Sequence, residues 1–331
     1  MNKVLVVGRA TIDFNPLDGG CTLDKSTTFK KYVGGSACNT AIGLKRQGID
    51  TSLLTKVSTD QFGKFIYDYL EQEAINTKAI KFDENTKVGL TFTEMVSPEQ
   101  SSILMYREKV SDLMLNIDDV KDSFVCEHDW VLISGTCMSS DDSRLAILKI
   151  ADLCKENNIP IIFDLDYRPY TWNSMNEIEL CYSMLSKSAQ IIVGSLEEYK
   201  LMSSICLNRN KQQIAQYFLN KSAEHVVIKD GKNGSNYYSD KGNYKVEIFP
   251  VEVKKSFGGG DAYISTLIAG ILNNEPISNV LFKATAHAAM LVNSHSCSEA
   301  LSSTKAIMEY IKDSNIEKKT VIKESSENNR E

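Results

Sequence analysis

The stretch Ser256-Phe257-Gly258-Gly259-Gly260-Asp261-Ala262-Tyr263 decides how this chain is interpreted, because three glycines stand directly before a helical pattern. Beyond it, apolar residues recur at helical spacing and predict a helix face buried against a sheet: Ile264, Leu267, Ile268, Ile271 and Leu272. Glycines leave the backbone amides at the helix N-terminus open, and the helix dipole favours negative charge there. The turn therefore suits a phosphoryl group. Asp261 is then a candidate general base, with a helix cap as the alternative.

Two further glycine turns flank predicted elements. Gly34-Gly35 precedes a helix that begins at Ser36, and Asn39 lies one turn into that helix. Gly231 and Gly234 follow a strand that ends at Lys229, where they either face a nucleotide or make a hairpin. The sequence contains no GxxxxGK[ST] motif, which excludes a P-loop kinase. It also has no GxGxxG after the first strand, which argues against a Rossmann dehydrogenase.

Short apolar runs alternate with helical patterns over most of the chain. The predicted buried strands are 4–7, 130–134, 159–165, 190–193 and 225–229, and the predicted helices are 36–47, 61–73, 142–157, 177–187, 211–221, 261–272, 278–292 and 299–311. This alternation predicts an α/β domain over 1–312, with a doubly wound, mostly parallel sheet flanked by helices. Segments 14–33 and 88–115 alternate with period two, which predicts antiparallel strands of a small lid sheet. The polar segment 313–331 is expected to be disordered.

Composition and charge exclude several classes of protein. The chain has 331 residues and a net charge of −6, which argues against nucleic-acid binding. No apolar run reaches the ~18 residues of a membrane helix, so no membrane association is expected. The eight cysteines form no CxxC pair and the four histidines are not at metal-ligand spacing, which argues against disulfides and zinc and for a reducing cytoplasm. The lid strands could alternatively form a homodimer contact through Met95, Ile103 and Met105.

The glycine turns together resemble the two signatures of the ribokinase-like (PfkB) family of carbohydrate kinases. They stand here as Gly34-Gly35-Ser36-Ala37-Cys38-Asn39 and Gly258-Gly259-Gly260-Asp261, with Gly259 where the family usually has alanine. The resemblance covers nearly the whole chain and implies ATP, Mg²⁺ and phosphoryl transfer to a sugar hydroxyl. It assigns Asp261 as catalytic base, the amides of Gly258, Gly259 and Gly260 as anion hole, Asp13, Gly34, Gly35 and Asn39 to the sugar, and Lys229, Gly231, Gly234, Gly258 and Gly260 to the nucleotide. The family's metal-linked Asn-x-x-Glu appears as Gly194-Ser195-Leu196-Glu197, which leaves Glu197 without its usual asparagine.

Four runs resemble, more closely, the family's sugar-acid kinases of inositol breakdown: 8–15, 29–36, 102–107 and 164–172. A sugar acid carries a carboxylate, which the planar fork of arginine suits. Arg107, with Tyr106 beside it on the lid, and Arg168 are therefore expected to bind the substrate, with Arg9 as a third candidate. Arg168 could instead contact ATP phosphates. A kinase for a 2-keto-3-deoxy sugar acid or another sugar stays an alternative, as does a non-catalytic sugar-binding protein, against which the intact Asp261 and glycine turn argue.

Overall fold

The computed structural model describes residues 2–97, 100–255, 257–314 and 321–324. Its strands are β1 (Lys3–Val7), β2 (Thr11–Pro16), β3 (Phe29–Gly34), β4 (Asp50–Leu54), β5 (Lys56–Ser58), β6 (Lys81–Asp83), β7 (Gly89–Met95), β8 (Ser101–Tyr106), β9 (Trp130–Ser134), β10 (Ile161–Asp164), β11 (Ile191–Ser195), β12 (His225–Lys229), β13 (Ser235–Ser239), β14 (Asn243–Val246) and β15 (Val321–Glu324). Its α-helices are α1 (Ser36–Arg46), α2 (Gln61–Gln72), α3 (Asp122–Cys126), α4 (Asp141–Glu156), α5 (Met175–Ser186), α6 (Leu196–Lys200), α7 (Ser203–Cys206), α8 (Lys211–Leu219), α9 (Gly259–Leu272), α10 (Ile277–Val292) and α11 (Thr304–Asp313). Within the described ranges, no helix is long and apolar enough to cross a bilayer.

The main sheet has nine strands in the order β15-β14-β13-β12-β11-β10-β9-β1-β4. Six neighbouring strands, from β12 to β4, are parallel, and β13, β14 and β15 add an antiparallel edge. Alternate residues of β1 enter different cores: Val4 and Val6 pack on the side of α1 and α9, whereas Leu5 and Val7 pack on the side of α4 and α5. Strands that are covered on both faces read as continuous apolar runs. The predicted doubly wound, mostly parallel fold is confirmed.

A separate four-stranded sheet, ordered β3-β2-β7-β8, is built from the two segments that alternate with period two. β2 pairs antiparallel with β3 and β7 with β8, but β2 and β7 run parallel, so the expectation of antiparallel pairing is wrong for the central pair. The reason is that β2–β3 and β7–β8 are two separate hairpins, and the first strand of one lies next to the first strand of the other. Asp13, Thr91 and Met105 are in register on one face, called here the inner face.

The C-terminal segment contains one further strand. Val321 pairs with Val246 where β15 lies antiparallel on the open edge of β14. The prediction of disorder over 313–331 is therefore wrong for 321–324, because the edge strand β14 offers unpaired backbone groups to which a short extended segment can add. Residues 315–320 and 325–331 of that predicted tail lie outside the described residues.

The carboxyl ends of the parallel strands define where a ligand can bind. β1 lies between β4 and β9, and the chain proceeds from there in opposite directions across the sheet, which makes a topological switch point. Helices α1 and α9 both begin at this end, and the residues before them, Gly35 (φ 94°) and Gly258 (φ 86°), are in conformations that only glycine adopts without strain.

Candidate active site

Asp261 lies in the first turn of α9 and meets a residue from the opposite end of the chain. Its Oδ2 accepts a hydrogen bond from Asn39 Nδ2 at 2.8 Å, so α1 and α9 meet at their N-terminal turns. Burial raises the pKa of Asp261 to about 6, although the Asn39 hydrogen bond opposes the shift. A buried carboxyl group with this pKa is matched to proton transfer near neutral pH.

The glycine turn before Asp261 is closely packed from behind. A Cβ atom on Gly258 would lie 2.6 Å from Cys297 Sγ, and one on Gly260 would lie 3.4 Å from Lys229 Nζ. The first amides of a helix have no partner within the helix. Gly258, Gly259 and Gly260 therefore offer amides, next to a lysine ammonium, where an anion can approach.

The Gly34-Gly35 turn brings the start of α1 against Asp13 and Arg9. A Cβ atom on Gly34 would overlap the Asp13 carboxylate, and one on Gly35 would lie 2.5 Å from the backbone oxygen of Arg9. Burial raises the pKa of Asp13, and the charge of Arg9 opposes the shift. The structure thus groups Asp13, Gly34, Gly35 and Asn39 with Asp261, as the sequence analysis expected.

Two arginines, the buried Arg9 and the partly exposed Arg168, contact Asp166, which is buried just after β10 in the left-handed region at φ 33°. Arg168 Nη2 lies 2.9 Å from Asp166 Oδ1, and Arg9 Nη2 lies 3.4 Å from Asp166 Oδ2. Ser36 and Ser134 also donate hydrogen bonds to this carboxylate. Burial disfavours the Asp166 anion, but Arg168 and Arg9 outweigh burial and hold its pKa well below the usual range. Arg9 Nε has no hydrogen-bond partner among the described residues.

Tyr106 and Arg107, both predicted to contact substrate, differ in position: Tyr106 faces away from Asp13, whereas Arg107 lies against Gly89 on the inner face. Tyr106 is on the outer face of the small sheet, 59% exposed, and Met105 occupies the inner face, paired with Thr91. The register decides this, because neighbouring residues of a strand point to opposite faces. Arg107 is buried in a bidentate ion pair with Asp112, at 2.6 and 3.3 Å, so its guanidinium is already matched by a carboxylate. The structure therefore places Tyr106 away from Asp13, and it places Arg107 near Arg9 with its guanidinium paired to Asp112.

A cavity of about 450 Å³ extends from the glycine turn along α9 and α10. Lys229, Gly231, Gly234, Gly259 and Gly260 line its polar end, and its remaining wall is mainly apolar: Ile248, Phe249, Val251, Val253, Tyr263, Ala288, Ala289 and Val292. Gly231 and Gly234 connect β12 to the antiparallel β13, so the turn is a hairpin and its two glycines also line the cavity. The cavity has the apolar lining and few polar groups of a small-molecule site.

The acidic residues near Lys229 differ from the one predicted. Glu197 is exposed on α6, whereas the next residue, Glu198, accepts hydrogen bonds from the backbone amides of Ser195 (2.6 Å) and Tyr167 (2.9 Å). Burial disfavours the charge of Lys229, but Asp164, Glu198 and Asp261 outweigh burial and raise its pKa.

Asp164 is a second acidic residue that the sequence analysis missed. Burial raises its pKa to about 8, and its Oδ1 has no hydrogen-bond partner among the described residues. Within those residues, no group of three or more His, Cys, Asp or Glu is arranged to hold a metal. A cation here would have to share its coordination with phosphate oxygens and water. The signal that could have found Asp164 is the Asp-x-Asp spacing at the end of a predicted core strand.

Residues 1–304 match the model of a family described as pfkB family carbohydrate kinase. The chain belongs to the pfkB family of carbohydrate kinases. Among its relatives, 5-dehydro-2-deoxygluconokinase of Clostridium botulinum (strain Eklund 17B / Type B) is 45% identical over 315 residues, covering 94% of this chain and 93% of the relative. The enzyme of the same name from Mesomycoplasma hyopneumoniae (strain 232) is 42% identical over 297 residues, or 88% of each chain.

Solved structures show the same fold. A protein described as a ribokinase II from E. coli, in complex with ATP and Mg²⁺, superposes with a TM-score of 0.86 at 20% identity, covering 95% of this chain and 100% of that one. Fructokinase with bound ATP from Xylella fastidiosa superposes with a TM-score of 0.81 at 19% identity, over 95% and 99% of the chains. The predicted ribokinase-like fold is confirmed. This pfkB-family member is an ATP-dependent sugar kinase.

Proposed function

We propose that this pfkB-family kinase transfers the γ-phosphoryl group of Mg-ATP to the 6-hydroxyl of 5-dehydro-2-deoxy-D-gluconate. The observation that carries the proposal is the position of two guanidinium groups at the end where the sugar is expected, where Arg9 and Arg168 both contact the carboxylate of Asp166. Relatives that are 42–45% identical over most of the chain bear the name of that kinase.

The pair formed by buried Arg9 and partly exposed Arg168 favours an acidic substrate because of the hydrogen-bond donors that it offers. Arg9 is only 3% exposed, and its Nε lacks a partner among the described residues. A substrate carboxylate offers charged acceptors to guanidinium N–H groups that Asp166 leaves unpaired, such as Arg9 Nε, whereas a neutral hexose offers only hydroxyl groups. The nearby Arg107–Asp112 pair, neutral as a whole, is proposed to hold the strand end in place and not to bind the substrate. Arg9 and Arg168 therefore replace Arg107 as the proposed carboxylate ligands.

The proposed reaction begins with proton removal by Asp261. Its carboxylate accepts the proton of the substrate hydroxyl while that oxygen bonds to the γ-phosphorus. The bond from the γ-phosphorus to the bridging oxygen then breaks, and ADP leaves with the bonding electrons. The amides of Gly258, Gly259 and Gly260, with Lys229, stabilise the negative charge on the transferring group. Asp13 and Asn39 orient the sugar and the base, which supplies most of the remaining catalysis.

The acidic pair Asp164 and Glu198 is proposed to hold Mg²⁺ in place of Glu197. Mg²⁺ usually binds one or two carboxylates together with phosphates and water, and the unpartnered Oδ1 of Asp164 fits that donor set. When bound, the ion neutralises phosphate charge and favours the ionised form of Asp164.

The small sheet is proposed to act as a lid over the sugar, because Asp13 and Met105 lie on its inner face. Its closure would exclude water from the phosphoryl group. The outer face carries stacked Phe14 and Phe92 with Leu104 and Tyr106 exposed, and we infer that a second copy of the chain covers this apolar face. Ile103 and Met105, predicted for such a contact, lie on the inner face. A monomer of the wild type in light scattering would contradict this dimer.

The cysteines support a reducing compartment. All eight are free thiols, and six of them are buried. A chain with this many unpaired thiols is suited to the cytoplasm, where ATP is also available. We therefore infer a cytoplasmic location.

The substrate proposal is tested by ADP release with Mg-ATP and a panel of four acceptors: 5-dehydro-2-deoxygluconate, 2-keto-3-deoxygluconate, fructose and ribose. The expected result is the highest kcat/KM for the first. Preference for the second keeps the mechanism and changes the substrate. Preference for a neutral sugar contradicts the role given to Arg9 and Arg168, and Arg9→Met should then leave kcat/KM unchanged.

A further inference from the structure

Lys255 is fully buried behind the glycine turn, with an accessibility of 0%. Its Nζ donates to Cys297 Sγ at 3.1 Å and lies 5.3 Å from the centre of the Phe257 ring. None of the ion pairs between described residues includes Lys255; by contrast Lys283, which is also buried, is paired with Glu275. A buried ammonium without a carboxylate is strongly unfavourable unless something else compensates its charge.

The thiol partner of Lys255 does not neutralise it. Burial raises the pKa of the Cys297 thiol to about 11, and the opposing effect of Lys255 does not reverse that shift. Cys297 is therefore a neutral hydrogen-bond acceptor at physiological pH. The positive charge of Lys255 is left to act on its other neighbours.

Those neighbours are the glycine turn at Gly258, where the phosphoryl group is expected, and Asp13, where the sugar is expected. Cys297 Sγ, which Lys255 contacts, lies 2.6 Å from the place of a Cβ on Gly258, the first glycine of the anion hole. The backbone amide of Lys255 donates to the Val292 carbonyl at 3.1 Å, which fixes the start of the turn against α10. On the sugar side, the charge of Lys255 also favours the ionised form of Asp13.

We propose that the Lys255 ammonium is a fixed internal cation that positions the anion hole and adds positive potential where phosphoryl charge develops. Lys255 has two effects. It contacts Cys297, which packs behind Gly258 and so supports the turn, and its positive charge raises the electrostatic potential at the anion hole. It is a positioning residue and does not touch the substrates. In a water-excluded site such a charge is weakly screened and needs no reorganisation during the reaction. The inference concerns phosphoryl transfer and does not depend on which sugar is the acceptor.

Lys255→Met tests the proposal, because methionine fills similar volume without charge. The kcat is expected to fall about ten- to a hundredfold. This fall is no greater than the one caused by removing a hydrogen-bond donor that contacts the anion directly. The melting temperature should stay the same or rise, since an apolar side chain removes the buried charge. Lys283→Met is the matched control: it breaks a buried pair far from the turn, so it should lower stability and leave kcat unchanged.

Chemical rescue separates the charge from mere packing. Lys255→Ala is expected to lose kcat and to regain part of it, about fivefold or more, with methylammonium but not with sodium chloride at the same ionic strength. A Lys255→Met kcat within threefold of the wild type would overturn the proposal. So would a loss of kcat that follows the melting temperature and is not rescued. The wild type is measured with every acceptor of the panel; inactivity of the wild type counts against the substrate, not against Lys255.

Discussion

Replacing Asp261 with asparagine removes the proposed base and keeps the side-chain volume. The amide oxygen of an asparagine can still accept the hydrogen bond that Asn39 Nδ2 gives at 2.8 Å, so the meeting of α1 and α9 should persist. General-base catalysis contributes about 10²–10⁴ in rate. Because burial raises the pKa of Asp261 only to about 6, the wild-type residue is almost fully ionised at pH 7.5. The variant therefore forfeits the whole contribution, and kcat should fall at least a hundredfold.

The affinity for ATP should change less than twofold, because Asp261 is not among the residues that line the nucleotide cavity. Coupled ADP release at pH 7.5 gives kcat, and calorimetry gives the Kd of ATP. Asp60→Asn is the matched control: Asp60 caps α2 by accepting from the Phe62 and Gly63 amides, and asparagine caps equally well. Retention of more than a tenth of the wild-type kcat in Asp261→Asn, with the control unaffected, would refute the assignment of the base.

Three further results are expected. The wild-type kcat/KM should rise about tenfold per pH unit up to about pH 6 and then level off, because Asp261 works as the carboxylate and its pKa is raised to about 6; a flat profile from pH 5 to 8 would contradict this. Glu198→Gln should raise the Mg²⁺ concentration needed for half-maximal activity about tenfold or more, measured by Mg²⁺ titration, whereas Glu197→Gln, at an exposed position, should not. Equal effects of the two substitutions would contradict the assignment of the metal to Glu198. Gly234→Ala should lower the melting temperature by about 3 °C or more and raise the KM for ATP, because a Cβ atom on Gly234, at φ 83°, would overlap a neighbouring carbonyl oxygen. Gly48→Ala is the control: Gly48 has φ 86° but open space around it, so this variant measures the backbone strain alone. An equal fall of the melting temperature in Gly48→Ala would contradict the role of the overlap.

The parts of the molecule that the sequence predicted well are those governed by local chemistry. Runs 130–134 and 225–229 match β9 and β12 residue for residue, because strands covered on both faces are continuously apolar. The glycine turns at Gly35 and Gly258 also stand out, since their backbone angles admit little else.

The parts that the sequence could not predict depend on orientation or on distant partners. Met105 and Tyr106 are neighbours in the sequence, and only the register of β8 against β7 determines which of the two side chains lies on the inner face. The exposure of Glu197 and the inward position of Glu198 follow from the cap of α6, because the Glu198 side chain accepts a hydrogen bond from the backbone amide of Ser195. The partner of Arg107 is supplied by a short turn at Ser111–Met114, which leaves no mark in the strand pattern.

The position of β1 inside the sheet has a consequence for how the enzyme is made. Val4 pairs with both Thr51 and Trp130, so β1, which is synthesised before both partners, cannot complete its pairing until β9 has followed. Synthesis proceeds at about 5–20 residues per second, so β1 keeps one unpaired edge for roughly ten seconds before β9 has been made. Such a segment is prone to associate with other nascent chains. Cooling, which weakens hydrophobic association, or a chaperone that covers β1, should therefore raise the yield of folded kinase without altering its activity per molecule.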